Sequence, residues 1–378
     1  MTEHTLITGG AGFIGSHLAR RLHASGHKVT VLDALIPQVH GADPERTSSL
    51  LQAVSGVADV VHGTVTSTDD IRRALEGATS VVHFAAETGT GQSMYEIGRY
   101  VDTNVGGTAT LLDVLGEGSH DVRRLVVASS RSIYGEGAYL TADGRTVFPP
   151  SRQDDDLAAG DFDVTMRGEG AIETVPTDED ARLHPVSVYG VTKLTQESLV
   201  LTAAPAIGIE PVALRYQNVY GPGQSLRNPY TGILSIFSTR IRQGKEIDIF
   251  EDGLESRDFV YIDDVVDATY RAVVGDVAGS GVFNVGTGVP VTVLEVVEEL
   301  MDAFGQRVPT NVSGHYRVGD IRHCVADTRR AREELGFDAQ VPFAEGVRKF
   351  VDWVRSEPIE ADGYETSLAE MAQRRILR

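Results

Sequence analysis

The first forty residues show a clear pattern of apolar and polar positions. Apolar residues alternate over a short run in HTLITGG, the run breaks at glycines, helical spacing follows through GFIGSHLARRLHASG, and HKVTVLD adds a second apolar run. A period near two predicts a strand, and a period near 3.6 predicts a helix. The order strand, tight turn, helix, strand is typical of the βαβ unit that opens a nucleotide-binding fold.

Further strand-like runs follow along the chain. They occur at residues 59–63, 80–85, 124–129 and 210–216, and helix-compatible segments such as residues 100–115 separate them. Alternation of strands and helices predicts a parallel sheet that is covered by helices on both faces. The predicted fold class is therefore α/β, with a doubly wound parallel sheet of the Rossmann type.

The turn after the first predicted strand contains Gly9, Gly12 and Gly15, in the spacing G-x-x-G-x-x-G. Positions without side chains let backbone N–H groups and a helix N-terminus approach a pyrophosphate closely. Asp33 follows at the end of the second strand, where a carboxylate accepts hydrogen bonds from both hydroxyls of an adenosine ribose and repels a 2′-phosphate. Positions 34 and 35 are not basic, so the sequence predicts NAD rather than NADP.

Composition limits the classes of partner. The 378 residues have a formal net charge of −20 and a single cysteine, Cys324. Nucleic acid normally binds a basic face, and one cysteine excludes an intramolecular disulfide and a cysteine-based zinc site. No apolar run reaches the roughly 18 residues that span a bilayer, and the N-terminal residues do not resemble an export signal. We therefore expect a cytoplasmic protein that binds neither nucleic acid nor membrane.

The segment PVSVYGVTK places Tyr189 four residues before Lys193, which is one of four lysines in the chain. Positions i and i+4 of a helix lie on the same face. An isolated tyrosine has a pKa of about 10, and a nearby ammonium group favours its phenolate form. The pair is therefore a candidate for proton transfer.

Several short motifs occur in an order that is more specific than any one of them. They are GGAGFIGSHL, HFAAE, TNVGGT, SSRSIYG, YGVTK, RYQNVYGPG and RDFVYIDD. Through them the chain resembles, over nearly its whole length, the extended short-chain dehydrogenase/reductase family, and in particular its nucleotide-sugar epimerases and dehydratases. The segments SSRSIYGEG and GPGQSLRNPYTGILSIF look especially like bacterial 4-epimerases that act on dTDP-L-rhamnose-type sugars.

The resemblance implies a role for each matching residue. Tyr189 is the expected general acid and base, and Lys193 and Ser130 complete the catalytic triad. The expected NAD contacts, besides Tyr189 and Lys193, lie in the first turn and near strand ends: Gly9, Gly12, Phe13, Ile14, Gly15, Asp33, Thr64, Val65, Ala85, Ala86 and Asn104. The expected contacts to a nucleotide-diphosphate sugar are Thr88, Arg131, Ser132, Asn218, Phe250, Arg257 and Arg317. Among these, the last two arginines are expected on the diphosphate and the phenylalanine against the base.

The residues after Ser130 separate the candidate reactions. Related sugar 4,6-dehydratases have Asp-Glu there, whereas this chain has Arg131 and Ser132. Without the acidic pair, elimination lacks its acid and its base. The resemblance therefore implies an NAD-dependent nucleotide-sugar 4-epimerase that keeps NAD tightly bound and passes through a transient 4-keto sugar. A 4-ketoreductase or other nucleotide-sugar oxidoreductase, and a non-catalytic NAD- or sugar-sensing protein, are the alternatives.

The chain departs from these relatives at two places. An insertion at about residues 136–184 lacks the paired cysteines that relatives often have there, so we predict no metal. Thr64 stands where most relatives have an aspartate that contacts the adenine amino group.

The resemblance also implies a domain organisation. Residues 1–215 are expected to form the NAD-binding Rossmann domain, with residues 258–286 packing back on it. Residues 216–357 are expected to form mainly a smaller α/β domain that binds the nucleotide sugar. A polar tail, residues 358–378, is expected to be only partly ordered. Helices at residues 99–115 and 187–202 are expected to form a four-helix interface in a homodimer.

Overall fold

A computed structural model describes residues 3–226, 232–275, 281–359 and 364–378. The strands are β1 (His4–Thr8), β2 (Lys28–Asp33), β3 (Asp59–His62), β4 (Ser80–His83), β5 (Arg124–Ser130), β6 (Tyr139–Thr141), β7 (Thr146–Val147), β8 (Ile172–Thr174), β9 (Glu210–Tyr216), β10 (Asn218–Tyr220), β11 (Ile247–Ile249), β12 (Ser256–Tyr261), β13 (Val282–Val285), β14 (Pro290–Thr292), β15 (Thr310–Val312) and β16 (His323–Cys324). The helices are α1 (Phe13–Ala24), α2 (Pro37–His40), α3 (Pro44–Thr47), α4 (Ser49–Ser55), α5 (Thr68–Ala74), α6 (Thr90–Ser93), α7 (Ile97–Tyr100), α8 (Gly107–Gly116), α9 (Asp154–Ala158), α10 (Val188–Ala206), α11 (Ile233–Gln243), α12 (Ile262–Val274), α13 (Val293–Phe304), α14 (Arg329–Glu334), α15 (Phe343–Ser356) and α16 (Tyr364–Gln373). A π-helical stretch, Val101–Gly106, joins α7 to α8, and a 3₁₀ turn, Arg131–Ile133, follows β5. Within the described ranges, no helix has both the length and the apolar composition that a membrane crossing requires.

The central sheet is parallel, with the strand order β13-β9-β5-β4-β1-β2-β3. Its inner strands are buried on both faces, as the fully buried side chains of Leu6, Ile7, Val81 and Val82 show. Strands covered on both faces read as nearly continuous apolar runs, which is why the sequence pattern located them. The prediction of a doubly wound parallel sheet is confirmed.

The order of the strands reverses between β1 and β4. The chain runs outward from β1 to β2 and β3, returns to β4, and then continues outward through β5, β9 and β13. Sheets of this kind bind ligands in the crevice at the carboxyl ends of the strands beside the reversal. Ser130 ends β5 at this edge and lies in register with Tyr216, which ends β9.

The chain crosses the predicted boundary at residue 215 more than once. After β9 it enters a second lobe, in which β12 pairs with β10, β14 and β16, and β11 pairs with β15. It then returns, because α12 packs against α1 and β13 extends the central sheet beside β9. This return is consistent with the expected packing of residues 258–286, although the exact domain limits stay a prediction.

Buried ion pairs attach the insertion to the second lobe. Strands β6, β7 and β8 form a small sheet, and the neighbouring Arg152 lies 3.4 Å from Glu136 and 2.7 Å from Glu251. Arg322 of the second lobe lies 3.4 Å from Asp163 of the insertion, and its backbone N–H donates to Glu136 at 2.7 Å. Removing one member of a buried pair leaves an unpaired charge, at a cost of about 3–5 kcal/mol. Charged side chains, rather than cysteines, therefore hold the insertion in place.

The C-terminal residues 364–378 differ from the expected partly ordered polar tail. Tyr364–Gln373 form α16, in which Tyr364, Ser367 and Met371 are buried. Their spacing of three and four residues places them on one helix face. The surfaces that bury this face come from distant parts of the chain, so local composition did not reveal them.

Candidate active site

Two cavities meet at the carboxyl edge of the central sheet. The first, of about 380 Å³, follows the ends of β1, β2, β4 and β5. The second, of about 430 Å³, lies between this edge and the second lobe. Thr88, Ser130 and Tyr189 line both cavities. Two ligands bound in the two cavities would therefore meet at these three side chains.

The first cavity begins at the glycine turn between β1 and α1. Gly9 has a φ of +68°, and a Cβ at this position would lie 2.8 Å from the backbone nitrogen of Ala85. A Cβ on Gly15 would lie 2.6 Å from the carbonyl oxygen of Gly9. Only glycine fits both positions. The first residues of α1 line the cavity, and the partial positive charge of a helix N-terminus favours a phosphate there.

Asp33 lies on the same cavity, at the end of β2. One of its carboxylate oxygens accepts a hydrogen bond from the Ala11 N–H at 3.0 Å, and the other accepts from the Leu35 N–H at 2.9 Å. The Nε2 atom of the buried His40 lies 3.5 Å from the carboxylate. These contacts fix the orientation of the carboxylate and leave further lone pairs for ribose hydroxyls. The glycine turn and this carboxylate together fit NAD.

We predict that Asp33→Ser weakens NAD binding and relaxes the discrimination against NADP. The variant loses the acceptor for the ribose hydroxyls and the charge that repels a 2′-phosphate. Titration of the cofactor-free protein with NAD and with NADP measures both effects. Asp59→Ser, which removes an exposed carboxylate from the adjacent strand β3, is the matched control. An unchanged preference for NAD in Asp33→Ser would remove the assigned role.

Most of the other expected NAD contacts also line the first cavity: Gly12, Phe13, Ile14, Thr64, Val65, Ala85 and Ala86. The backbone N–H of Thr64 donates to Asp70 at 3.0 Å, and its hydroxyl lies 2.9 Å from the hydroxyl of Thr66. The threonine that stands in place of the expected aspartate therefore lies on the cofactor cavity.

Asn104 lies behind the cavity rather than on it. Its amide oxygen accepts from the Glu87 N–H at 2.7 Å. Its amide nitrogen donates to the Glu87 carbonyl at 3.1 Å and to the Thr192 hydroxyl at 2.9 Å. The fully buried side chain therefore joins the loop after β4 to α10. A direct contact between Asn104 and NAD stays a prediction, whereas the observed contacts position the loop.

The Tyr189 hydroxyl lies at the junction of the cavities. Burial raises its pKa above the usual value, while a hydrogen bond with Ser130 and the charge of Arg131 oppose this rise. The expected support from Lys193 is not among these influences. Ser130 in turn accepts from the Ser132 hydroxyl at 2.9 Å and from the Ser132 N–H at 3.2 Å. Ser132 therefore holds Ser130 in place, and it does not line either cavity.

Lys193 belongs to a buried polar network beneath the cofactor cavity. Its ammonium group donates to Gln196 at 2.8 Å, and the Gln196 amide donates to the Thr108 hydroxyl at 2.8 Å. Because that hydroxyl donates to the Asn104 carbonyl, it can accept from His83, whose Nε2 lies 2.9 Å away. Burial lowers the pKa of Lys193 to about 7, against the favourable charge of Glu197. Burial and the Lys193 charge lower the pKa of His83 to about 3, which keeps the imidazole neutral.

The two arginines that are predicted to bind the diphosphate, Arg257 and Arg317, share one carboxylate. Asp320 lies 3.0 Å from Arg257 and 2.8 Å from Arg317. Burial raises the pKa of Asp320, but the charges of Arg317 and Arg257 outweigh it and hold the pKa well below its usual range. Arg257 also donates to backbone carbonyls, including that of Ile321 at 2.6 Å. Asp320 therefore sets the position of both guanidinium groups on the second cavity.

Four of the remaining predicted substrate contacts, Thr88, Arg131, Asn218 and Phe250, line the second cavity as well, whereas Ser132 does not. The Arg317 guanidinium carbon lies 5.4 Å from the centre of the Phe250 ring, over its face. The Nε atom of Arg131 donates to the Asn218 side-chain oxygen at 2.5 Å. The structure therefore places the Phe250 ring, which is expected against the nucleobase, beside Arg317, which is expected on the diphosphate.

Three further polar residues line the cavities, although the sequence analysis did not single them out. Gln217 and Gln224 line both cavities, and Glu255 lines the second. Each has a buried side-chain oxygen for which the described residues provide no hydrogen-bond partner. Burial also raises the pKa of Glu255 to about 7. Gln217 lies inside the RYQNVYGPG motif, and this position is the sequence signal from which a role of Gln217 in the site could have been predicted.

No group of three or more His, Cys, Asp or Glu side chains within the described ranges is arranged to hold a metal ion. The predicted independence from metal stays a prediction.

Comparisons with known proteins agree with this geometry. The chain is 37% identical to the dTDP-L-rhamnose 4-epimerase of Burkholderia thailandensis, over 93% of this chain and 95% of that protein. Its fold matches the UDP-glucose 4-epimerase of Thermotoga maritima with UDP-glucose, at a TM-score of 0.75 and 28% identity over 93% and 99% of the two chains. It also matches the UDP-glucose 4-epimerase of Thermus thermophilus in complex with NAD, at a TM-score of 0.74 and 27% identity over 94% and 100% of the two chains.

The model of the NAD dependent epimerase/dehydratase family matches residues 5–153 and 164–286. These residues include the glycine turn, Asp33, Ser130, Tyr189 and Lys193. The unmatched residues between these two ranges, 154–163, lie inside the insertion. The protein therefore belongs to the NAD-dependent epimerase/dehydratase family.

Proposed function

We propose that the protein is an NAD-dependent nucleotide-sugar 4-epimerase, which inverts C4 through a transient 4-keto sugar. The observation that carries the proposal is the position of Ser130 and Tyr189 where the two cavities meet. Arg131 and Ser132 follow in place of an acidic pair. One proton-transfer group is enough to oxidise and reduce the same carbon, whereas dehydration needs a further acid and base.

Each side chain at the junction has a distinct task. NAD, when bound by the first cavity, supplies the group that accepts a hydride and returns it. Tyr189, hydrogen-bonded to Ser130, takes the proton of the C4 hydroxyl and later returns it. The Arg131 charge offsets part of the cost that burial imposes on the phenolate. Lys193, held by Gln196, is placed on the cofactor side of Tyr189.

Inversion requires that the sugar turns while its nucleotide stays bound. Arg257 and Arg317 provide guanidinium groups that suit phosphate oxygens. Asp320 fixes both of them on the second cavity, and Tyr189 lies where this cavity meets the first. The anchored diphosphate then leaves the sugar free to present either face of C4 to the same proton-transfer group.

The proposal is tested with nucleotide sugars that have deuterium at C4. We expect the product to keep deuterium at C4, with no solvent exchange at C3 or C5, because the hydride returns to the carbon that it left. In a separate experiment, proton NMR of an unlabelled panel with dTDP-L-rhamnose, UDP-glucose and UDP-glucuronic acid measures the 3,4 coupling and identifies the accepted sugar. Deuterium washed into solvent would contradict transient C4 oxidation. Reduction that releases the cofactor at each turnover would indicate a ketoreductase instead.

We also infer a cytoplasmic homodimer with residues 1–215 as the cofactor domain and residues 216–357 mainly as the substrate domain. Three exposed apolar side chains support the dimer: Val101 and Val191 lie within the expected interface helices, and Ile97 lies two residues before the first of them. Ile97 is 51% exposed, Val101 is 42% exposed and Val191 is 50% exposed. Contact with a second copy would remove this apolar surface from water.

A further inference from the structure

Residues 364–378, called here the C-terminal wall, lie across the second cavity. Tyr364 and Ile376 line this cavity together with Phe250, Arg317 and Val318. Both are buried, at 8% exposure each. A segment that looked like a surface tail therefore contributes an aromatic and an aliphatic side chain to the predicted substrate site.

The backbone of the C-terminal wall pairs with the segment that contains Arg317. The Tyr316 N–H donates to the Arg378 carbonyl at 2.9 Å, and the Arg378 N–H donates to the Tyr316 carbonyl at 3.0 Å. The Val318 N–H donates to the Ile376 carbonyl at 2.9 Å. These bonds enclose Arg317 in an antiparallel bridge. The C-terminal wall is thus joined to the segment of the second lobe that contains Arg317, which is predicted to bind the diphosphate.

The other face of the C-terminal wall contacts the NAD-binding side of the cavity. A Cβ at Gly91 would lie 3.3 Å from the sulfur of the buried Met371, and Gly91 itself lines the second cavity. The Arg374 guanidinium lies 4.4 Å from the centre of the Tyr95 ring. The wall therefore spans from one lobe to the other at the cavity, rather than resting on a single surface.

The chemistry of the exposed cavity faces indicates what the wall binds. Phe250 and Tyr364 provide two aromatic rings, and Ile376 and Val318 provide aliphatic surface. The Arg240 guanidinium lies 5.1 Å from the centre of the Tyr364 ring and restricts it. Aromatic and aliphatic faces suit a flat heterocyclic base, whereas a sugar ring needs many hydrogen-bonding groups.

We propose that Tyr364 and Ile376 bind the nucleoside half of the nucleotide sugar, so that the C-terminal wall determines nucleotide specificity. The inference rests on the nucleotide-sugar binding proposed above, but not on the reaction at C4. Loss of these side chains weakens the binding of the nucleoside diphosphate itself, whatever sugar is attached.

The test is calorimetric titration of the NAD-loaded full-length protein with dTDP, UDP and inorganic pyrophosphate. We expect Tyr364→Ala and Ile376→Ala each to weaken dTDP or UDP binding about tenfold, which corresponds to about 1.4 kcal/mol. Pyrophosphate binding should stay within about twofold, because Arg257 and Arg317 remain in place. The ratio of dTDP to UDP affinity should also change. Tyr364→Phe, which keeps the ring, should bind nearly as the wild type does.

Thr366→Ala and Gln373→Ala are matched controls, because both residues are exposed on α16. Thermal unfolding and NAD content show whether a variant is folded, and Tyr364→Leu, which removes the aromatic ring, and Ile376→Val serve if an alanine variant is not. Wild-type affinities for dTDP and UDP in folded Tyr364→Ala and Ile376→Ala overturn the inference. Equal losses for pyrophosphate and the nucleotides also overturn it, in favour of a role through Arg317 alone. A wild type that binds none of these nucleotides overturns both this inference and the proposed function.

Discussion

Tyr189→Phe should lower kcat by roughly 10²–10⁴ while the affinity for the nucleotide sugar changes little. The substitution keeps the aromatic ring and the start of α10 but removes the hydroxyl that hydrogen-bonds with Ser130. Without that hydroxyl, nothing at the junction takes the proton of the C4 hydroxyl at the rate that turnover requires. Steady-state kinetics together with titration of the nucleotide sugar separate the two effects.

Tyr270→Phe is the control for this experiment, because Tyr270 lies on α12 and lines neither of the two cavities. Its kcat should equal that of the wild type. If Tyr189→Phe retained more than about a tenth of wild-type kcat, the proton would have to pass through another group. Glu255, whose pKa is raised to about 7 on the same cavity, would then be the first residue to examine.

Lys193→Met should lower kcat by roughly 10²-fold or more and should also reduce the NAD content of the purified protein. The ammonium group lies on the cofactor cavity and is held there by Gln196. Its removal takes away a predicted contact to the nicotinamide ribose. Ser130 and Arg131 oppose the rise that burial causes in the pKa of Tyr189, and both remain in this variant, so the rising limb of the pH–rate profile should move little.

Protein stability gives an independent check on Lys193. Burial lowers the pKa of this lysine to about 7, whereas the usual value is 10.5. Between these two pH values the unfolded chain binds a proton that the folded chain does not, so this residue makes stability rise with pH. In cofactor-free protein, Lys193→Met should lose that contribution and should not unfold more readily than the wild type at pH 7. Lys28→Met, at an exposed lysine, should leave kcat, NAD content and this pH dependence unchanged. A Lys193→Met variant with normal kcat and NAD content would contradict the assigned role.

The sequence alone located the elements whose signals are local. The apolar runs that became β4, β5 and β9 are recognisable because strands of a covered parallel sheet are apolar on both faces. Glycine occurs at positions 9 and 15 because other backbone atoms lie so close to both residues that a Cβ would not fit. The glycine spacing of this turn is therefore visible in the sequence. Ordered motifs then showed the family and the candidate triad, of which the structure brings Ser130 and Tyr189 to the junction of the cavities and Lys193 to the cofactor cavity.

The tertiary structure decided how those residues are supported. The sequence placed Lys193 on the same helix as Tyr189, but the fold directs the lysine to Gln196 and surrounds the tyrosine with Ser130 and Arg131. These influences depend on where β5 and α10 meet, and spacing along the chain does not contain that information. The sequence did not identify Asp320 as a site residue for the same reason. Its contact with Arg257 joins residues that are 63 positions apart.

The order of the C-terminal residues was also decided only by the fold. Their composition is polar, and a short helix of such composition is marginal in isolation. The contact of Met371 with Gly91 and the hydrogen bond between Ile376 and Val318 stabilise the C-terminal residues. Gly91 and Val318 both lie far from these residues in the sequence. The sequence by itself therefore determined the sheet, the glycine turn and the identity of the candidate triad, because periodicity and short motifs encode them locally. Only the tertiary structure decided which groups shift the pKa values of Tyr189 and Lys193 and which residues enclose the substrate cavity. Both depend on contacts between distant segments.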